Sequence, residues 1–228
     1  MAAGTPMYPL KRLTILCGHY GSGKTNVAVN VATELKKSRD TVTVADLDIV
    51  NPYFRTKDSA AYFEEQGIRL ICSAYANSNV DIPALPQEMY ALTDDRSMTA
   101  VLDIGGDDRG ALVLGRLAPK ILAENDYEML MVINCYRPLT RDAASTLEVM
   151  REIEYAGGIR FTGLVNNSNL GAVTTAEDIL ASRDYAEEVA RLSGLPIVMT
   201  SVRQDLYSEV EGKVPNAFPL GLQKNKYL

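Results

Sequence analysis

The sequence holds a single histidine, His19, and three scattered cysteines, Cys17, Cys72 and Cys135. A four-ligand zinc site, a histidine-based triad elsewhere in the chain and a disulfide framework therefore lack material. Long apolar runs are missing too: stretches such as 129–133 fall far short of the length that crosses a bilayer, and no N-terminal segment joins a basic stretch to a long apolar one. The expectation is a soluble, cytoplasmic protein with no membrane partner. Positive charge is in deficit, with 29 Asp and Glu against 23 Lys and Arg and a net charge of −6. That balance argues against nonspecific nucleic-acid binding through a broad basic face. Chemistry in this chain must come from carboxylates, lysine, backbone amides or a bound ion.

What is present suits a folded core. The 228 residues are 46% hydrophobic and 23% charged, which excludes disorder, collagen and coiled coil and fits one ordinary α/β domain over 1–228, with 1–11 as a loose leader. Short apolar, β-branched runs at 13–17, 41–45, 69–72, 99–103, 128–132, 160–165 and 197–200 lack polar alternation, as strands buried on both faces of a parallel sheet do. Amphipathic segments lie between them. Residues 25–37 place Val27, Ala28, Val31, Ala32 and Leu35 on one helical face, 140–155 ends at Gly157 and Gly158, and a helix from Thr175 and Asp178 runs to Gly194. The expected fold is a doubly wound, mainly parallel seven-stranded sheet flanked by helices.

The first strand runs into Gly18, His19, Tyr20, Gly21, Ser22, Gly23, Lys24 and Thr25, followed by Asn26, a complete G-x-x-x-x-G-K-[ST] pattern between a strand and a helix. Glycines let such a loop wrap an anion while its amides point inward, and the following helix adds the positive end of its dipole. Lys24 would reach the β- and γ-phosphates of a nucleotide, and the Thr25 hydroxyl would hold Mg²⁺.

Side chains that serve a site in a parallel sheet sit at the carboxyl ends of strands, and two strands here end in acids. The second gives Asp46 and Asp48; the fourth gives Asp103, followed by Ile104, Gly105, Gly106, Asp107 and Asp108. Asp103 after its apolar run has the look of a Walker B acid, and at least one of Asp46, Asp48 and Asp103 is read as serving the metal or the water. Taken alone, each acid reads first as a helix N-cap or a solvated turn; the phosphate loop in the same chain tips the reading.

The stretches GHYGSGKTNVAVNVATELKK, VTVADLDIVNPYFRTKDSA, VLDIGGDDRGA and FTGLVNNSN resemble the MinD/ParA branch of P-loop NTPases. That resemblance implies ATP and Mg²⁺ as ligands, residues 21–25 around the phosphates, Lys24 and Asp48 as catalytic groups with Asp48 orienting the attacking water, and Thr25, Asp46 and Asp103 on the metal side. It also implies a switch segment over 103–109 and Asn167 at the adenine. Many members carry a second lysine after the first glycine of the loop, reaching a partner's phosphates across a nucleotide-dependent homodimer. Here that position is His19, whose imidazole is shorter than a lysine and carries no fixed charge, so a mechanism resting on a lysine there lacks it. Arg55 and Lys57 are the nearest substitutes in sequence, though both read first as solvated surface cations.

Three functions stay open: a slow ATPase switch acting on an unidentified partner protein, an ATP-dependent small-molecule ligase or kinase, and a nucleotide-binding module with negligible turnover. The ligase or kinase would need a substrate pocket, for which 75–95 is the candidate lid. Tyr136, Arg137 and Pro138 follow the fifth strand at its carboxyl end, where contact with a ligand or partner is geometrically open.

Overall fold

Buried strands form where the apolar runs lie. The computed structural model describes residues 8–47, 60–72, 87–106 and 108–222. Its strands are β1 (Leu13–Cys17), β2 (Val42–Leu47), β3 (Arg69–Cys72), β4 (Thr99–Ile104), β5 (Tyr127–Ile133), β6 (Gly163–Asn166), β7 (Ile197–Arg203) and β8 (Ala217–Leu220). All pair in parallel in the order β3-β2-β4-β1-β5-β6-β7-β8. Every residue of β1, β2, β4 and β6 is buried, which is why these strands show no polar alternation.

The expected seven strands become eight. The additional strand, β8, is four residues long and includes Pro219, a residue that argues against a strand in sequence. It is tolerated because β8 lies at the sheet edge, paired only to β7, where a missing N–H breaks no second ladder.

The helices are α1 (Lys24–Lys36), α2 (Ala60–Glu65), α3 (Gln87–Asp94), α4 (Asp108–Glu124), α5 (Ala143–Gly157), α6 (Ala176–Ala181), α7 (Arg183–Ser193) and α8 (Tyr207–Val210). One face of the sheet packs on α1 and α2 through Val27, Val31, Leu35 and Phe63. The other packs on α3, α4, α5 and α7 through Met89, Leu114, Leu117, Met150 and Val189. Asp142 caps α5 by accepting from the Ser145 amide, and Gly158 ends it in the left-handed region. The helix expected from Thr175 to Gly194 is two helices. Its capping box forms as the spacing predicts, but the chain breaks at Ser182, whose hydroxyl donates to the Ile179 carbonyl and accepts from the Asn166 amide.

Of the leader, Leu10 is buried among the α1-side core residues. Arg12 ion-pairs with Glu124 and donates to the carbonyls of Leu92 and Met98, fastening the start of β1 to α3 and α4.

Candidate nucleotide site

The glycine-rich loop leaves β1 at its carboxyl end, where β1's connection runs to one side of the sheet and β5's to the other, so a crevice opens there. Gly21 and Gly23 have φ of 78° and 84°, a region that side chains disfavour, and Gly23 is the N-cap residue of α1. The turn closes through Ser22 N–H donating to the His19 carbonyl. Lys24 and Thr25 open α1 and are 4% and 6% exposed, an unusual burial for a lysine. Ser22 is 1% exposed, and its hydroxyl has no hydrogen-bond partner among the described residues.

Asp46 and Asp103 are register partners across β2 and β4, with exposures of 5% and 0%. Two carboxylates on neighbouring strands repel at close range and favour a cation. The Thr25 hydroxyl donates to Asp103 Oδ2 at 2.6 Å, joining the first turn of α1 to the end of β4. The Cys17 thiol, just before the loop, is pushed up out of the reactive range by burial; the Lys24 charge opposes that shift and the Asp103 carboxylate adds to it. Cys17 is thus an inert core residue, and its surroundings bring Lys24 and Asp103 to one strand end. Asp48, Arg55, Lys57 and Asp107 lie outside the described residues.

The segment after Asp103 rests on the phosphate loop. A Cβ on Gly106 would lie 2.4 Å from the Gly18 carbonyl oxygen and 2.8 Å from the Tyr20 nitrogen, and one on Gly110 would lie 2.6 Å from the Gly105 backbone. Two backbone contacts that only glycine permits therefore run from the loop, through 105–106, to the first turn of α4.

The loops after β5 and β6 complete the wall. Asn134, fully buried, accepts from the amides of Tyr136 and Asn169 and donates to the Asn169 carbonyl, stitching the two loops together. Asn167, 4% exposed, donates from Nδ2 to the Ser22 carbonyl at 2.7 Å, tying the β6 loop to the phosphate loop. Arg137 donates from Nε to the Gly21 carbonyl at 2.8 Å. Arg203 holds Asp205 through Nε and Nη2 and donates from Nη1 to the Ala172 carbonyl at 2.6 Å.

Part of this set lines a cleft of about 580 Å³, and Asp46 and Asp103 lie outside its lining. Tyr20, Gly21, Gly23, Lys24, Thr25 and Asn26 line one end; Asn167, Asn169, Gly171, Ala172, Thr174, Ile179, Ser201, Arg203, Leu220 and Leu222 line the other, with Arg137 also in the wall. Gly18, His19 and Ser22 support the loop from outside this lining. His19 Nδ1 sits 3.1 Å from the Tyr20 carbonyl oxygen. Of 75–95, residues up to 86 lie outside the described residues, and α3 turns Met89 and Leu92 into the core. Sequence reasoning missed Asn134 and Arg203. Asn134 follows an apolar strand, so the strand-end rule that selected Asp103 would have found it, whereas nothing local marked Arg203.

The donor set fits a magnesium-bound nucleotide. The volume lies in the range of small-ligand sites, about 300–1,000 Å³. Thr25, Asp46 and Asp103 offer the hard oxygens that Mg²⁺ prefers. Among the described residues no group of three His, Cys, Asp or Glu could hold a metal alone, so an ion here would complete its shell with phosphate oxygens and water.

No family model matches the chain, and no curated protein matches it. Solved structures do. The cell division protein FtsY of Thermotoga maritima is similar at 18% identity and a TM-score of 0.55, over 85% of this chain and 61% of that one. Chloroplast FtsY of Physcomitrella patens gives 16% and 0.56 over 86% and 59%, and FtsY of Mycoplasma mycoides 15% and 0.52 over 84% and 59%. The chain thus spans about three-fifths of the length of these structures. With the parallel sheet flanked by helices, these likenesses give the chain the P-loop NTPase fold.

Proposed function

We propose that the protein binds Mg-ATP and works as a slow ATPase of the MinD/ParA type, a nucleotide-dependent switch read by a partner protein. The observation that carries this reading is the Thr25 hydroxyl on Asp103 Oδ2 at 2.6 Å, beneath a glycine loop on which Gly106 rests. It joins the two motifs the chemistry needs, one for phosphate and one for metal. The four stretches quoted above support the branch, since the solved structures resemble this chain only in fold.

Bound Mg²⁺ would neutralise charge on the phosphates as it develops. The chain's own part is to hold and orient. Loop amides and Lys24 would bind phosphate oxygens, and Thr25, Asp103 and Asp46 would hold the ion, the Thr25 hydroxyl offering a lone pair while its proton stays hydrogen-bonded to Asp103. Asp48 is assigned the attacking water by resemblance. Gly106, lying on the loop, is where a terminal phosphate would be sensed, and its contact is the element that would shift with nucleotide state. The choice of adenine rests on the resemblance, which sets Asn167 at the base. Asn167, its Nδ2 committed to Ser22, presents its Oδ1 as an acceptor for the adenine amino group.

Calorimetric titration with ATP and Mg²⁺, followed by phosphate-release assays, tests the reading. Lys24→Ala should weaken ATP binding by about 10–100-fold, the loss of a charged hydrogen bond. Unchanged affinity would overturn the site. Phosphate release by the protein alone or with a second protein supports the switch; release only with a small acid or alcohol would replace it with a ligase or kinase, and none in any mixture with a passive module.

A further inference from the structure

Arg137 is the part of this site that neither motif explains. It lies on a built turn: its amide donates to the Asn134 carbonyl, its carbonyl accepts from the Thr140 amide, and the neighbouring Tyr136 hydroxyl donates to the Asp178 carbonyl at 2.8 Å. Its Nε is used by Gly21 O, and its guanidinium lies across Gly21, with Cζ 4.0 Å from where a Cβ would stand. Nη1 and Nη2 have no partner among the described residues, and the side chain lines the cavity. Of the other cations in that lining, Arg203 is held by Asp205 and Lys24 lies in the phosphate loop itself.

Position decides what those donors would meet. Arg137 follows β5, which lies between β1, bearing the phosphate loop, and β6, β7 and β8, bearing the far wall. Strands are spaced about 4.8 Å apart, so a nucleotide with its terminal phosphates over β1 and its base over β6–β8 passes its α-phosphate over β5. We infer that Arg137 binds the α-phosphate of the nucleotide from within the same chain, as a second fixed cation beside Lys24. A guanidinium anchored by one N–H keeps its remaining donors aimed, so little side-chain freedom is lost on binding. The inference rests on the nucleotide reading of the same site.

The test is titration of the full chain with ATP, ADP, AMP and adenosine, comparing the wild type with Arg137→Gln, Arg137→Lys and Lys24→Ala, and with thermal unfolding of each nucleotide-free variant as a check on folding. Arg137→Gln should weaken all three phosphorylated ligands by a similar factor of about 10, the range for a charged hydrogen bond, and leave adenosine unchanged. It should also lower the salt dependence of ATP binding, and Arg137→Lys should recover part of the loss. Equal loss for adenosine would overturn the assignment by placing the guanidinium on the base or ribose. Loss for ATP alone would move it to the γ-phosphate and overturn it as well. An unchanged ATP affinity in Arg137→Gln, with Lys24→Ala still impaired, would sink this inference alone; unaffected binding in Lys24→Ala would remove the nucleotide reading beneath it.

Discussion

Away from the site, Glu128 is a buried acid with an unpaired oxygen. It opens the inner part of β5, is 5% exposed, and its Oε2 has no hydrogen-bond partner; its register neighbour Thr14 has an orphaned hydroxyl too. Burial pushes the Glu128 carboxyl up from the usual range, while the Lys11 charge and a hydrogen bond from Tyr8 pull the other way. A carboxyl whose folded pKa is raised binds its proton more tightly in the folded state. Its contribution is therefore fully present below the unfolded value, about 4.3, and is lost as pH rises through the folded value. Glu128→Gln, which keeps the shape without the charge, should be more stable than wild type at pH 7 and should lose that advantage towards pH 4. Denaturant unfolding across that range checks it; a variant less stable at pH 7 would mean that the ionised carboxylate is held by something stronger than Lys11. The site lies at the opposite end of β5, so ATP affinity should not follow this change.

Among the elements, the connection from β4 into α4 is built on backbone contact. Gly106 touches the phosphate loop and Gly110 touches Gly105, so main-chain contacts link the phosphate loop to the first turn of α4. Gly106→Ala would put a methyl 2.4 Å from the Gly18 carbonyl oxygen and force the segment off the loop. The expected cost is about 1–3 kcal/mol of stability without nucleotide, as for other overpacked sites. Hydrogen exchange should also speed up over the first turn of α4 while that of α1 stays slow; equal protection in both proteins would show that the contact does not seat α4. This region also marks the limit of what the sequence conveys. Strand-to-helix order, the loop and Asp103 were legible because each is a local pattern: an apolar run, a glycine spacing, an acid at a strand end. The Asn134 bonds to Asn169 and the Arg203 bond to Ala172 span about 30 residues or more, and no periodicity encodes them. The break at Ser182 was hidden because the capping box, glycine stop and apolar face of a longer helix were all present, while the Asn166 side chain that bonds the Ser182 hydroxyl lies 16 residues away. β8 was hidden by Pro219, whose acceptability depends on being at an edge.

Across the whole molecule, the cavity draws its wall from segments that follow or belong to β1, β5, β6, β7 and β8, so a ligand bound there would touch segments of five of the eight strands. A ligand that bridges so many strands of one sheet should stabilise them together. At a free ATP concentration about 100 times Kd, with Mg²⁺, the linkage is about 2.7 kcal/mol. For a chain of this length that corresponds to a rise in Tm of about 5–10 °C. We expect one unfolding transition that moves as a unit, with a smaller shift when Mg²⁺ is chelated and a smaller one again for GTP at the same concentration. Scanning calorimetry reads all three. The net charge of −6 sets the chelation arm in context: a polyanionic ligand entering an acidic protein relies on a locally positive end, here Lys24, the loop amides and the ion, to offset the global repulsion. Two transitions, of which only one moves with ATP, would show that part of the sheet folds apart from the site. An equal shift for GTP would mean that the base end of the cavity does not discriminate, and would take with it the adenine role given to Asn167 while leaving the phosphate end untouched.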